Sequence, residues 1–170
     1  MTLLAQLFLQ DNQVAAAEET VSQAIAIFSE NSLPTVVIEC RYILGEVYRV
    51  KGDSEEAIKH LKVALGIAST HNLYRDAFYI YHSLVRLFVD AGRLEDANSH
   101  LELAKLHIAN NAHSLAHAIA LQAYIFYYQG RIDEGKSEYL RAAECFEKIG
   151  ATVDAERCRN LYNQSETYRS

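Results

Sequence analysis

Apolar positions recur along the chain at a helical spacing, and short polar turns interrupt them at nearly constant intervals. The turns centre on Asn12, Gly52, Gly92 and Gly130, which are 40, 40 and 38 residues apart. About ten residues with a helical period precede each turn, as in YILGEVYRV, and a longer helical stretch such as EEAIKHLKVALGIA follows it. The pattern predicts four units of helix, tight turn and helix.

Small residues stand at equivalent places in every unit and indicate the same register as the turns. Five positions after each turn centre are Ala17, Ala57, Ala97 and Gly135, and seven positions later are Ala24, Ala64, Ala104 and Ala142. Large residues lie between them: Val21, Leu61, Leu101 and Tyr139. Side chains without bulk let two helix backbones approach closely, as a tightly packed antiparallel pair requires.

In this register the sequence resembles the tetratricopeptide repeat family. The second unit carries the signature most fully, with Leu44, Gly45, Tyr48, Ala57, Leu61 and Ala64 at the family's spacing. The resemblance covers about residues 2–148 and implies an all-α, right-handed α-solenoid of four repeats, over about 2–31, 38–72, 77–111 and 114–149. A unit near forty residues is similar to the long repeats of signal-transduction ATPases, kinesin light chains and a scaffold subunit of the anaphase-promoting complex.

The repeats depart from the family's usual length of about 34 residues. They also lack the proline that the family places after the second helix. We therefore expect each second helix to run an extra turn and to end near a residue that tolerates a left-handed backbone. These residues are Asn31, Asn72, Asn110 and Gly150.

Residues 151–166 form one more amphipathic helix, which we expect to cap the last repeat. Val153, Cys158, Leu161 and Tyr162 are predicted to cover the repeat, while Asp154 and its charged neighbours form a polar outer face. The whole chain, 1–170, is then a single domain. Its amino end shows no equivalent cap, which indicates a fragment of a longer solenoid or self-association through that end.

Composition and charge narrow the classes of partner. The chain has one proline, seven glycines and no tryptophan, and its formal charge is −6. An acidic balance argues against nucleic acid and anionic membranes as partners. The three cysteines form no CxxC pair, so they are expected to be reduced thiols in the cytoplasm, with the nucleus as the alternative compartment.

No motif for catalysis or for a cofactor is present in the sequence. His113 and His117 have a spacing at which a helix can hold a metal ion. No Cys, Asp or Glu near them in the sequence completes a ligand set, so they are interpreted as ordinary helix and groove residues. We therefore predict no enzyme, no metal and no cofactor.

The resemblance also implies where a partner would bind, because the first helix of each repeat lines the concave face in this family. The matching positions are Tyr42, Glu46, Arg49, Tyr79, His82, Arg86, His117, Tyr124 and Tyr128, with Gln6, Gln10, Glu39 and Asp90 beside them. Tyrosine and arginine are enriched at protein interfaces.

The function predicted from this mapping is a non-catalytic protein–protein interaction scaffold that binds a peptide or partner segment in a concave groove. Three alternatives stay open. One is a peptide- or ligand-sensing regulatory region of a larger signalling protein, and another is a structural subunit of a multiprotein complex. The third is an enzyme, which a metal bound at His113 and His117 would indicate.

Overall fold

A computed structural model describes the chain over residues 1–28, 33–108 and 111–164. Within these ranges the structure is all-α, without a strand, as the sequence predicts. The helices are α1 (Thr2–Gln10), α2 (Val14–Phe28), α3 (Pro34–Val50), α4 (Ser54–Thr70), α5 (Tyr74–Asp90), α6 (Leu94–Lys105), α7 (Ala112–Tyr128), α8 (Ile132–Lys148) and α9 (Thr152–Gln164). The chain divides into an amino-terminal unit, Met1–Leu87, and a carboxy-terminal unit, Phe88–Ser170.

Within the described residues, six helix ends have the same type of backbone hydrogen bond, in which an N–H donates to the carbonyl five residues earlier and closes the turn to the next helix. In the turn after α3, Asp53 N–H donates to the Tyr48 carbonyl at 2.9 Å, and Gly52 between them has φ +80°. Asn72 takes the same place after α4 with φ 55°, and Gly150 after α8 with φ 74°. These two predicted helix ends are confirmed, whereas Asn31 and Asn110 lie outside the described residues.

Helix α6 is shorter than the repeat pattern predicts. It ends at Lys105 rather than near Asn110. The backbone N–H groups of the next three residues bond to carbonyls only three positions back, at 2.9–3.3 Å. This tighter pattern interrupts the α-helical ladder, so the last turn of the expected helix does not form.

The core of the amino-terminal unit is built on the predicted small residues. Ala17, Ala24, Ala57 and Ala64 are fully buried, and so is Leu61, the large residue of the second repeat. Gly45 on α3 faces Leu61 so closely that a Cβ at position 45 would lie 2.8 Å from Leu61 Cγ. The register inferred from the sequence is therefore the packing register of α3 against α4.

The core of the carboxy-terminal unit joins α7, α8 and α9. Ala142 is fully buried, and Tyr139 and Phe146 retain 4% and 1% exposure. Gly135 on α8 faces the backbone of α7, where an added Cβ would lie 3.2 Å from the Ala123 carbonyl oxygen. Close approach of this helix pair thus depends on a glycine on the second helix.

Helix α9 packs on this core, and the predicted buried face is right for Cys158 and Tyr162 but wrong for Val153 and Leu161. Ala155 and Cys158 are buried and Tyr162 packs beside them, but Val153 is 79% exposed and Leu161 37% exposed. The buried residues follow a spacing of three and four, and Val153 and Leu161 lie off that stripe. Residues 165–166 of the predicted cap lie outside the described part.

None of the described helices combines the length and apolar character that crossing a bilayer would need.

Candidate functional site

Two adjoining clefts open on the first helices of the amino-terminal unit. The larger, about 350 Å³, lies between α3 and α5, and the smaller, about 280 Å³, lies between α1 and α3. Their lining includes seven positions predicted for the groove: Gln6, Gln10, Glu39, Tyr42, Glu46, Arg49 and Tyr79. The structure brings these residues together across three consecutive first helices.

The larger cleft is acidic with an apolar wall. Glu39 on α3 and Asp76 on α5 supply its carboxylates, and Tyr42, Tyr79 and Ile80 supply rings and aliphatic surface. Its lining contains no lysine or arginine. A basic side chain with an aliphatic stem fits this combination, because the stem can lie on apolar surface while the charge meets the carboxylates.

The smaller cleft has a different character, because its charges neutralise each other. Arg49 Nε donates to Glu46 Oε2 at 2.9 Å, one turn apart on α3. Leu9, Ile43 and Val50 provide apolar surface around this ion pair. An apolar side chain with a polar neighbour suits this cleft better than a second charge does.

Tyr42 belongs to both clefts and also to the core beneath them. Its hydroxyl accepts a hydrogen bond from Ser83 Oγ at 3.2 Å, which links α3 to α5. Burial raises the pKa of the Tyr42 phenol, and the nearby Glu46 carboxylate raises it further. The phenol is therefore neutral, and its hydrogen bond to Ser83 fixes the ring between the two clefts.

His82 and Arg86, the two remaining predicted residues of this unit, are not among the residues that line either cleft. His82 is half-buried and Arg86 is exposed, and both lie in the part of α5 that precedes the unit boundary at Leu87. Of the predicted residues on α5 in this unit, Tyr79 is the one that lines a cleft described above.

In the carboxy-terminal unit, two of the predicted groove residues form an aromatic pair. The ring centroids of Tyr124 and Tyr128 are 4.9 Å apart in an edge contact, and Tyr128 is 50% exposed. The Tyr124 hydroxyl donates to Asp90 Oδ1 at 2.6 Å. Burial and this bond to a carboxylate both raise the pKa of Tyr124, so its phenol stays protonated.

His117 lies in a different environment from these tyrosines. Its ring contacts that of His113 at 4.6 Å between centroids and the Phe146 ring at 4.9 Å. Asp154, at the start of α9, approaches the same place, with Oδ2 at 3.7 Å from His113 Nε2. Asp154 is thus half-buried beside α7, although the sequence predicts it on the polar outer face.

A third cleft, of about 270 Å³, lies among α7, α8 and the end of α6. Leu115, Ile119 and Phe126 form apolar surface there, and Lys105 and Arg141 bring positive charge. None of its lining residues belongs to the predicted groove. The groove positions taken from the family do not include them, so nothing in the repeat pattern predicts this cleft.

The two buried cysteines, Cys40 and Cys158, are not activated nucleophiles, because burial raises the pKa of both thiols. All three are free thiols, as predicted, and Cys40 and Cys158 are buried. Burial raises the pKa of the Cys158 thiol to about 11, with a contribution from Asp154. A thiol in this state is a packing residue rather than a nucleophile.

Comparison with known proteins supports the repeat assignment. A sequence profile described as tetratricopeptide repeat matches residues 38–71, the second predicted repeat. No curated protein sequence matches the chain.

Solved structures that are similar to nearly the whole chain include the following two. BtubC (BKLC) from P. vanneervenii has a TM-score of 0.70 at 16% identity, covering 98% of this chain and 78% of that one. The nearly identical TPR-like repeats of a putative kinesin light chain from Podosopora anserina have a TM-score of 0.58 at 18% identity, covering 99% and 95%.

The fold is therefore that of a tetratricopeptide-like α-solenoid, and the predicted resemblance and fold class are confirmed. Repeats of this kind generally mediate protein–protein interaction and are typically non-catalytic.

Proposed function

We propose that the chain is a non-catalytic scaffold that binds a peptide or partner segment over the first-helix face around Tyr42. The observation that carries the proposal is the pair of adjoining clefts that share this tyrosine. A surface held by packed helices needs little reordering when a ligand docks, which keeps the entropic cost of binding low.

The character of the clefts defines the segment that would fit. The larger cleft, with Glu39 and Asp76, suits a lysine or arginine. The smaller one, with Leu9, Ile43 and Val50, suits an apolar side chain. The proposed ligand is therefore a segment with a basic and an apolar residue close together, bound in the cytoplasm, where reduced thiols such as Cys40 are expected.

A display library of random peptides, selected on the full chain, tests this proposal. We expect enrichment of lysine or arginine next to leucine, isoleucine or phenylalanine. In anisotropy titrations of a selected peptide, Glu39→Gln with Asp76→Asn should weaken binding about tenfold or more, since charge-assisted contacts are lost. Tyr79→Ala should weaken it through lost contact area.

The matched control is Glu156→Gln with Asp133→Asn, which removes the same charge from exposed positions of the other unit. It should leave the affinity unchanged. Equal affinity for the cleft variants and the wild type, or selected peptides without basic residues, would exclude the larger cleft as the binding site. Arg86→Ala and Tyr124→Ala then report whether the surface extends beyond the clefts.

A second candidate function, a self-associating structural subunit, is favoured by the surface of α1. Leu3, Leu4 and Leu7 are 68%, 47% and 48% exposed, and the sequence of α1 contains no charged residue. Such a face is suited to another apolar face, and a second copy of the chain would supply one. Sedimentation velocity should then show a mass that rises with concentration.

The variant Leu3→Glu is expected to abolish this association, because it would bury a charge against apolar surface. Val153→Glu, at a position that is 79% exposed on α9, is the matched control and should not change it. A constant monomer mass at every concentration would rule this candidate out.

A further inference from the structure

The carboxy-terminal unit brings together three side chains that the function proposed above does not use. His113 and His117 lie one turn apart on α7, and Asp154 lies in the first turn of α9. One potential ligand atom from each lies within 4.8 Å of the other two, and among the described residues this is the one such group of three. Two helices thus contribute to a single cluster.

The distances are close to those of a metal centre. Ligands about 2.0–2.2 Å from a common tetrahedral ion are about 3.3 Å from one another. His113 Nε2 and Asp154 Oδ2 are already 3.7 Å apart. Small side-chain rotations would therefore bring all three donors onto one ion.

One buried aromatic ring packs against both imidazoles and forms the inner wall of the cluster. Phe146, which is 1% exposed, contacts both rings by its edge, at 5.6 Å from His113 and 4.9 Å from His117. The site is also open to solvent, since the side chains of His113 and Asp154 keep 39% and 32% exposure. An ion can therefore reach a cluster whose inner wall is fixed by the core.

We propose that His113, His117 and Asp154 form a binding site for a divalent transition metal ion of the Zn²⁺ class, which links α7 to α9. Two imidazoles and one carboxylate are donors that Zn²⁺ accepts readily, and Ni²⁺, Co²⁺ and Cu²⁺ accept them as well. Three protein ligands leave a further coordination position for water.

One neighbouring charge acts against the ion. Arg157, one turn along α9 from Asp154, interacts unfavourably with a positive charge at His117. The same repulsion would act on a bound cation. A variant without the Arg157 charge should therefore bind the metal ion more tightly. No such gain is expected if the three side chains have only a structural role.

The test is calorimetric titration of the full, tag-free chain with ZnCl₂, paired with visible absorption after titration with CoCl₂. We expect saturation at one ion per chain. Asp154→Asn, His113→Gln and His117→Gln should each weaken Zn²⁺ binding at least tenfold, whereas Arg157→Gln should tighten it several-fold. His71→Gln, at an exposed residue of the other unit, is the matched control and should bind as the wild type does.

Circular dichroism of each variant without metal shows whether it is folded. If a ligand variant does not fold, the Arg157→Gln result decides, because unchanged or weaker affinity there contradicts a cation at this position. Absence of stoichiometric binding, or Zn²⁺ binding that survives in all the folded ligand variants, overturns the proposal. With either of these two results, the contact between His113 and Asp154 is an ordinary side-chain interaction rather than part of a metal site.

Discussion

The helix pairs α3–α4 and α7–α8 both pack closely around a glycine, but the glycine is on the first helix of one pair and on the second helix of the other. In the first pair, Gly45 is on the first helix and Ala57 is its small counterpart on the second. In the other pair, Ala123 is on the first helix and Gly135 on the second. Close approach is therefore a property of the pair, and either helix can supply the residue without a Cβ.

The neighbours of the missing Cβ differ between the two pairs. At Gly45 it would meet a side chain, with Leu61 Cγ and Cδ2 at 2.8 and 2.9 Å. At Gly135 it would meet backbone, with the Ala123 carbonyl oxygen at 3.2 Å and the Tyr127 nitrogen at 3.4 Å. An added Cβ would overlap its neighbour more deeply at Gly45 than at Gly135, and the predictions below use that difference.

The largest effect is expected from Ala57→Leu, at the small position opposite Gly45. Ala57 is fully buried, so a larger side chain has to separate α3 from α4. We expect a loss of about 1–3 kcal/mol in the free energy of unfolding, the usual cost of overpacking. Urea denaturation followed by circular dichroism measures it, and an unchanged midpoint would contradict the register.

A smaller loss is expected for Gly45→Ala. The new methyl group would push on Leu61, which is fully buried and has little room to move. The overpacking cost is partly offset by the better helix propensity of alanine, which leaves a net loss of about 1–2 kcal/mol. The double variant with Leu61→Val should lose less than the two single changes together, because the smaller side chain relieves the contact.

A gain in stability is expected for Gly66→Ala, which serves as the reference for both glycines. A Cβ at position 66 meets no atom within 4 Å, and the residue lies inside α4. Alanine should then stabilise the helix by about 0.5–1 kcal/mol. A loss of stability in the same denaturation experiment would mean that Gly66 has a packing role.

The smallest effect is expected for Gly135→Ala. The gain in helix propensity is opposed by the 3.2 Å contact with the Ala123 carbonyl oxygen. The two should cancel to within about 0.5 kcal/mol. A loss as large as that of Gly45→Ala would show that the backbone contact at Gly135 is as restrictive as the side-chain contact at Gly45, and would remove the distinction between the two glycines.

The sequence predicts the parts of this fold that repeat. The turns at Gly52 and Gly130 and the buried alanines at 57 and 64 recur at fixed offsets, so each copy supports the others. The end of α6 at Lys105 and the full buried face of α9 each occur only once. No repeated copy in the sequence therefore supports a prediction of either feature.

The candidate sites also divide into residues that follow from the repeat register and residues that do not. The cleft residues around Tyr42 follow from the family's groove positions, because these depend on the repeat register. Asp154 approaches His113 and His117 from a different helix, and no local spacing in the sequence signals that contact. The cleft beside Phe126 depends on side-chain packing that the register does not determine.

The shared turn hydrogen bond also has a consequence for how fast the chain folds. Each such bond joins groups only five residues apart, as between Asp53 and Tyr48, so closing it orders a very short loop. Chains dominated by contacts between near neighbours in sequence fold rapidly, because few distant segments must meet in the transition state. Stopped-flow refolding should accordingly show helical hairpins that form early. In hydrogen exchange during refolding, the turn at Gly52 should be among the first segments to become protected.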